Sequence, residues 1–301
     1  MSGSIRIGTR DSKLALWQAL TVEKALNEHG AETQLKPVKS EGDLNLTQPI
    51  YSMGISGVFT RGLDAALLDG EIDIAVHSMK DVPTALAKGL KVVAVLERGS
   101  TADVLVKSAA VTASEAKIIA TGSLRRKAQW LRKYPNHSSV GLRGNVQTRL
   151  EKVASNDWIG GIFAQAGLER LALNHLNIET LDWMLPAPAQ GAVVVVARED
   201  RSDLITLLDK INHASTALAV TIEREFLRLL EGGCSSPIGA LAEIHDNTLY
   251  FKGGLFSLDG TKAVCIEKEV ATSDAIKSVA SWVKEVLDSG GKQIIDSLRN
   301  G

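Results

Sequence analysis

One recurring unit restricts the fold more than any other feature of this chain. A short apolar run is followed by a polar turn, and the turn by apolar residues at helical spacing. From Ser4 to Gly8, Ile5 and Ile7 alternate with Arg6, as in a strand. Thr9-Arg10-Asp11-Ser12 is polar, and Leu14, Ala15, Leu16, Ala19, Leu20 and Val22 then repeat with a helical period. The strand-like run returns at Ile72–Val76, Ile118–Ala120, Val140–Leu142 and Trp158–Ala164. The turns that follow are His77–Thr84, Thr121–Arg126, Arg143–Arg149 and the stretch into Gly167–Leu171. Alternating strands and helices of this kind build mostly parallel sheets. Their ligands bind at the carboxyl edge of the strands, where helix N-termini offer free N–H groups.

The remaining stretches divide the chain. Thr33–Lys39 reads as a second strand, residues 39–57 as a polar lid without a period, and Phe59–Leu68 as a helix. Val92–Leu96 is a strand, Arg98–Val104 a crossover, and Leu185–Gly191 a hinge-like linker. Ala192–Ala197 is a very apolar strand expected to return to the first sheet. A helical pattern covers Thr206–Leu229; Gly232 and Gly233 stop it, Cys234 follows on a turn, and Pro237 prevents it from resuming. Leu241–Ile244, Thr248–Gly253 and Ala263–Val270 read as strands, with a hairpin at Asp246-Asn247. Ser273–Leu287 is an amphipathic helix that turns Ala275, Val279, Trp282, Val283 and Val286 inward. The expected fold class is α/β: two lobes resembling the periplasmic-binding-protein architecture with a cleft between them, plus a small α+β C-terminal domain. The expected domains are 1–97 with 192–210, then 98–188, then 211–301.

Composition narrows the function. The 34 basic and 35 acidic residues give a formal charge of −1, so nothing global attracts nucleic acid or an anionic membrane. Aromatics are only 4%, too few for the stacking platforms of RNA binders. Two cysteines, Cys234 and Cys265, make no disulfide framework and suit a reducing cytosol; Cys265 alternates within a strand and reads as core. The first residues show no signal or transit pattern, and no apolar run reaches membrane-span length. A cytoplasmic monomer is expected.

Arg10, Ser12, Lys80, Asp81, Ser123, Arg125, Arg126, Arg143, Arg149 and Arg170 collect at the edges where ligands bind. So many cations beside one evident acid, Asp81, call for an acidic ligand, and guanidinium forks suit carboxylates or phosphates. No phosphate loop or dinucleotide fingerprint is present. The six histidines show no metal spacing, and His77 reads as a packed residue. Ser12 also reads as an ordinary helix cap.

Val76-His-Ser-Met-Lys-Asp-Val-Pro83 and Glu231-Gly-Gly-Cys-Ser-Ser-Pro-Ile-Gly239, with Arg6–Ala19, Thr121–Gln129, Leu142–Leu150, Ala164–Leu171 and Leu185–Ala192, resemble the porphobilinogen deaminase family over nearly the whole chain. The resemblance implies a transferase that joins four porphobilinogen units head to tail with loss of ammonia, then releases hydroxymethylbilane. It implies a dipyrromethane cofactor held by Cys234 through a thioether. Asp81 would be the catalytic carboxylate, accepting pyrrole N–H groups, assisting departure of the amine and stabilising the azafulvenium cation. Lys80, Ser123, Arg125 and Arg126 would hold the cofactor. Arg10, Ser12, Arg143, Arg149, Arg170 and Gln190 would serve substrate and growing chain. Two positions depart from the family pattern: Ser56 stands where many members have a lid lysine, and Gly122 replaces a serine. The competing class is a non-catalytic two-lobed binding protein for a small polyanion, which leaves Cys234 without a role.

Overall fold

The computed structural model describes residues 4–38, 59–108, 117–173, 175–230 and 236–299. β1 (Ile5–Thr9) buries Ile5 and Ile7, while Arg6 forms a side-on pair with Asp73, at 2.9 and 3.0 Å. α1 (Lys13–Glu28) packs Ala15, Ala19, Val22 and Leu26 inward. β2 (Thr33–Pro37), α2 (Arg61–Leu68), β3 (Ile74–Ser78), a single 3-10 turn (Met79–Asp81) and β4 (Leu90–Val95) follow.

The second series is β5 (Asp103–Lys107), β6 (Ile118–Ala120), α3 (Leu124–Lys133), β7 (Ser138–Val140), α4 (Val146–Ala154), β8 (Gly160–Ala164), α5 (Gln165–Arg170) and β9 (Ile178–Thr180). β10 (Val193–Arg198) then returns to the first sheet, as its apolar character predicts; its first five residues are all buried. The first sheet runs β2-β1-β3-β10-β4 and the second β7-β6-β8-β5-β9. Both follow one plan: three parallel strands, then an antiparallel strand from a distant stretch of chain. The sequence reading of a crossover through Val104 is corrected, because β5 already begins at Asp103. Val104, Leu105 and Val106 are buried there between β8 and β9.

The helix expected over Thr206–Leu229 is two helices, α6 (Ser202–Leu208) and α7 (Ala214–Leu229). Asn212 and His213 break it by docking on the end of β4: Asn212 Oδ1 accepts the Val95 N–H, and the His213 N–H donates to Val95 O. β11 (Ile238–His245), β12 (Thr248–Phe256) and β13 (Ala263–Ala271) form an antiparallel sheet. Asp246 and Asn247, at φ +47° and +66°, make its two-residue turn. α8 (Thr272–Val286) buries the five residues predicted to face inward. α9 (Lys292–Arg299), not anticipated from the sequence, closes the chain. Cys265 is a second correction: it is exposed, because in β13 Ile266 takes the inward position and its neighbours point out.

The described residues divide into two compact units, one of residues 4–38, 59–99 and 191–218, the other of residues 100–190 and 219–299. The second unit holds both the second sheet and the three-stranded sheet. There the β12–β13 turn packs on α3; a Cβ on Gly260 (φ +74°) would lie 2.7 Å from Ala128 O.

Candidate functional site

In the first unit, β1 and β3 are neighbours, and the predicted residues follow their carboxyl ends. Arg10 lies over the Phe59 ring, with its guanidinium carbon 4.5 Å from the centroid. Ser12 is the N-cap of α1, its Oγ accepting the Ala15 N–H at 3.3 Å. The 3-10 turn after β3 is tied down at both ends. Ser78 Oγ accepts from Gln18 Nε2 at 2.7 Å, the Met79 N–H donates to Ala192 O, and the Val82 N–H to Met79 O. Lys80 and Asp81 are therefore held half-buried on a fixed turn. No hydrogen bond or ion pair reaches Asp81's carboxylate from the described residues. His77, just before the turn, is buried with an unpartnered Nε2. Burial and the nearby Arg10 charge lower its pKa to about 4, so it is neutral, which fits a packed residue.

In the second unit, β6, β7 and β8 are adjacent parallel strands, and three turns follow their carboxyl ends. Ser123 caps α3, accepting the Arg126 N–H at 3.4 Å. Gly122 lies against the turn after β7; a Cβ there would sit 2.7 Å from Leu142 O, so this chain has no room for the serine of the family pattern. Asn145 caps α4, and Arg149 Nε donates to Gly144 O at 2.7 Å. Arg143 and Arg170 are partly shielded, and burial lowers the pKa of both guanidinium groups.

Arg125 and Arg126 are not surface cations. They are 3% and 6% exposed, and both bind Asp103, which is fully buried. Arg125 Nη1 donates to Asp103 Oδ2 at 2.6 Å and to Leu185 O at 2.5 Å. Arg126 donates from Nε and Nη2 to Oδ1, at 3.0 and 2.7 Å, and from Nη1 to Ile162 O at 2.9 Å. Burial pushes the Asp103 pKa up, but the two arginine charges and hydrogen bonds from Arg125 and Gln190 outweigh it. The carboxyl stays ionised, well below its ordinary range. Gln190, expected at the substrate, is fully buried, its amide donating to Thr101 O and Asp103 Oδ1 at 2.7 and 2.9 Å. Its described partners are protein groups, because the linker carrying it is strapped rather than open.

Those straps were not visible in the sequence. Gln129 brackets the Leu185 backbone, its Nε2 donating to Leu185 O and its Oε1 accepting the Leu185 N–H. Pro186 O accepts the Ala240 N–H. Glu223, fully buried on α7, accepts the N–H groups of Ala189 and Ala242 at 2.6 and 2.7 Å. Asp103 had one signal available: a carboxylate at the head of the apolar run Val104–Val106 must find cations if the run is buried. Glu223 offered none beyond its place in an apolar helix face. Cys234, the lid expectation at residues 39–57 and its Ser56 lie outside the described residues. Among the described residues, no group of three or more His, Cys, Asp or Glu could hold a metal ion.

Comparison with known proteins adds three findings. A family model described as "Porphobilinogen deaminase, dipyromethane cofactor binding domain" matches residues 5–206, and one described as "Porphobilinogen deaminase, C-terminal domain" matches residues 217–288. A porphobilinogen deaminase of Syntrophomonas wolfei is 39% identical over 98% of this chain and 99% of its own. One of Carboxydothermus hydrogenoformans is 40% identical over 99% of this chain and 98% of its own. Among solved structures, the second substrate binding domain of a putative amino acid ABC transporter from Streptococcus pneumoniae covers 69% of this chain and 92% of its own, at 10% identity and a TM-score of 0.43.

Proposed function

The chain belongs to the porphobilinogen deaminase family, and from that premise we propose how its residues divide the work. The protein is a transferase that condenses four porphobilinogen units with loss of ammonia and releases the linear tetrapyrrole hydroxymethylbilane. The observation that carries this function is agreement with named deaminases along the whole length, at about two residues in five.

Dipyrromethane is the cofactor, and the second unit fits a carboxylate-bearing group: Arg125 Nε is buried without a partner. In our reading Cys234 holds it covalently, and Lys80, Ser123, Arg125 and Arg126 supply its polar surroundings. When bound, dipyrromethane supplies the pyrrole carbon to which the first substrate is joined. Asp81 accepts the substrate pyrrole N–H, and its charge opposes the positive charge that develops as ammonia leaves. That Asp81 has no described partner and sits on a fixed turn supports this role, since its acceptors are not spent within the fold. Arg10, Ser12, Arg143, Arg149 and Arg170 bind the acetate and propionate groups. Gln190 acts from behind, through Asp103. The chain works in the cytoplasm, a reading supported by its cysteine content and checked by cell fractionation, and as a monomer, which size exclusion checks. No helix among the described residues is long and apolar enough to cross a membrane.

Intact mass of the denatured protein, with a Cys234→Ser control, tests the assignment. Extra mass equal to two linked pyrroles in the parent and none in the control supports it. A parent mass that equals its bare sequence mass, and stays there after incubation with porphobilinogen, sinks it.

A further inference from the structure

The turn after β6 puts two guanidinium groups on one carboxylate, and the two are used differently. Every nitrogen of Arg126 already has a protein partner: Nε and Nη2 go to Asp103 Oδ1, and Nη1 to Ile162 O. Arg125 meets Asp103 and Leu185 O through Nη1 alone. Its other edge, Nε with Nη2, donates to no described residue, although Nε is buried. That edge has the geometry that takes a carboxylate through two parallel bonds, as Arg6 takes Asp73 in this same protein. The charges agree. Two cations and one anion leave the cluster at +1, and one further carboxylate would bring it to neutrality.

We propose that Asp103 is a positioning residue for the reaction. By engaging Arg125 end-on and Arg126 side-on, it reserves one fork, the Nε–Nη2 edge of Arg125, for a carboxylate of the bound dipyrromethane. Arg126 is the counter-charge that lets Asp103 stay ionised in the interior. Gln190 completes the arrangement by donating to the Asp103 oxygen that Arg126 also uses. The inference rests on the reading of dipyrromethane as the resident cofactor, and it assigns unequal parts to two adjacent arginines.

Three variants test it, read by intact mass for cofactor occupancy and by thermal unfolding for the fold. Arg125→Lys keeps the charge and loses the fork, so occupancy is expected to fall about tenfold with little change in Tm. Arg126→Lys keeps a cation beside Asp103, so Tm is expected to fall more than in Arg125→Lys while occupancy falls less than about threefold. Asp103→Asn, where circular dichroism shows it folded, is expected to lose occupancy as Arg125→Lys does. A purely structural cluster would move Tm and occupancy together in all three. Equal losses of occupancy in the two arginine variants, or the reverse order, overturn the assignment. So does a folded Asp103→Asn with full occupancy. If Asp103→Asn does not fold, the arginine pair alone decides. A parent protein that carries no mass beyond its own sequence after incubation with porphobilinogen overturns the functional reading itself, which is a different failure.

Discussion

The turn after β3 and the turn after β6 look alike in sequence: Lys80-Asp81 in one, Arg125-Arg126 in the other, each at the carboxyl end of a parallel strand. Folded, they differ. The β3 turn keeps its charged groups half-buried, and its carboxylate has no described partner. The β6 turn sinks both guanidinium groups onto Asp103, which comes from a strand more than twenty positions earlier. The difference teaches that a pair of charged residues at a strand edge does not declare its role. Its role depends on whether the fold supplies the opposite charge. In the reading we propose, the β3 turn offers a reactive group and the β6 turn a prepared receptor.

Asp81→Asn tests that contrast most severely. Turnover of porphobilinogen is expected to fall by at least about 100-fold, roughly 3 kcal/mol of barrier, with little change in Tm. A normal rate would remove the β3 turn from the chemistry. The matching change at the other turn, Asp103→Leu, strands two buried cations and is expected to cost about 3–5 kcal/mol in denaturant unfolding. A cost near zero would mean that the arginines are solvated after all.

His77 adds a pH arm to the contrast. Its pKa is about 4 in the fold against 6.5 as a free side chain. The unfolded chain therefore binds the extra proton between those values. Stability is full above pH 6.5 and is lost as the pH falls toward 4, by about 3 kcal/mol in total. Denaturant midpoints over that range, compared with His77→Gln, should show the slope in the parent and a flatter line in the variant.

The smallest effects separate the two helix caps. Ser12→Ala and Ser123→Ala should each cost about 1 kcal/mol of stability. Beyond that, Ser12→Ala is expected to raise KM for porphobilinogen, and Ser123→Ala to lower cofactor occupancy measured by mass. The same functional loss in both would blur the division between a substrate side and a cofactor side.

Much of the fold was legible because two-residue and 3.6-residue periods survive folding intact. The five inward residues of α8 and the Asp246-Asn247 turn are read directly from spacing. The break at Asn212 was not legible, because it is made by β4 more than a hundred positions away. Asp103 was hidden for the same reason. Its charge looked like the end of a connection until β8 and β9 closed around Val104–Val106. Gln190 shows the limit most clearly. The family resemblance assigned it to substrate and growing chain, and only the packed partners Thr101 and Asp103 show that its amide is used within the protein. Cys265 misled through parity: in β13 alternation was correct, but the face was set by Ile266.

β10 also carries a consequence for how the protein is made. It lies between β3 and β4, yet it begins only at Val193, after the whole second sheet has been synthesised. On a ribosome adding ~5–20 residues per second, the first sheet waits several seconds with a gap between β3 and β4, their facing edges unpaired. The nascent N-terminal portion is thus a natural client for chaperones. Early translational stops before Val193 should yield insoluble fragments, whereas the second sheet, whose strands are all made by Thr180, can close while the chain is still being elongated.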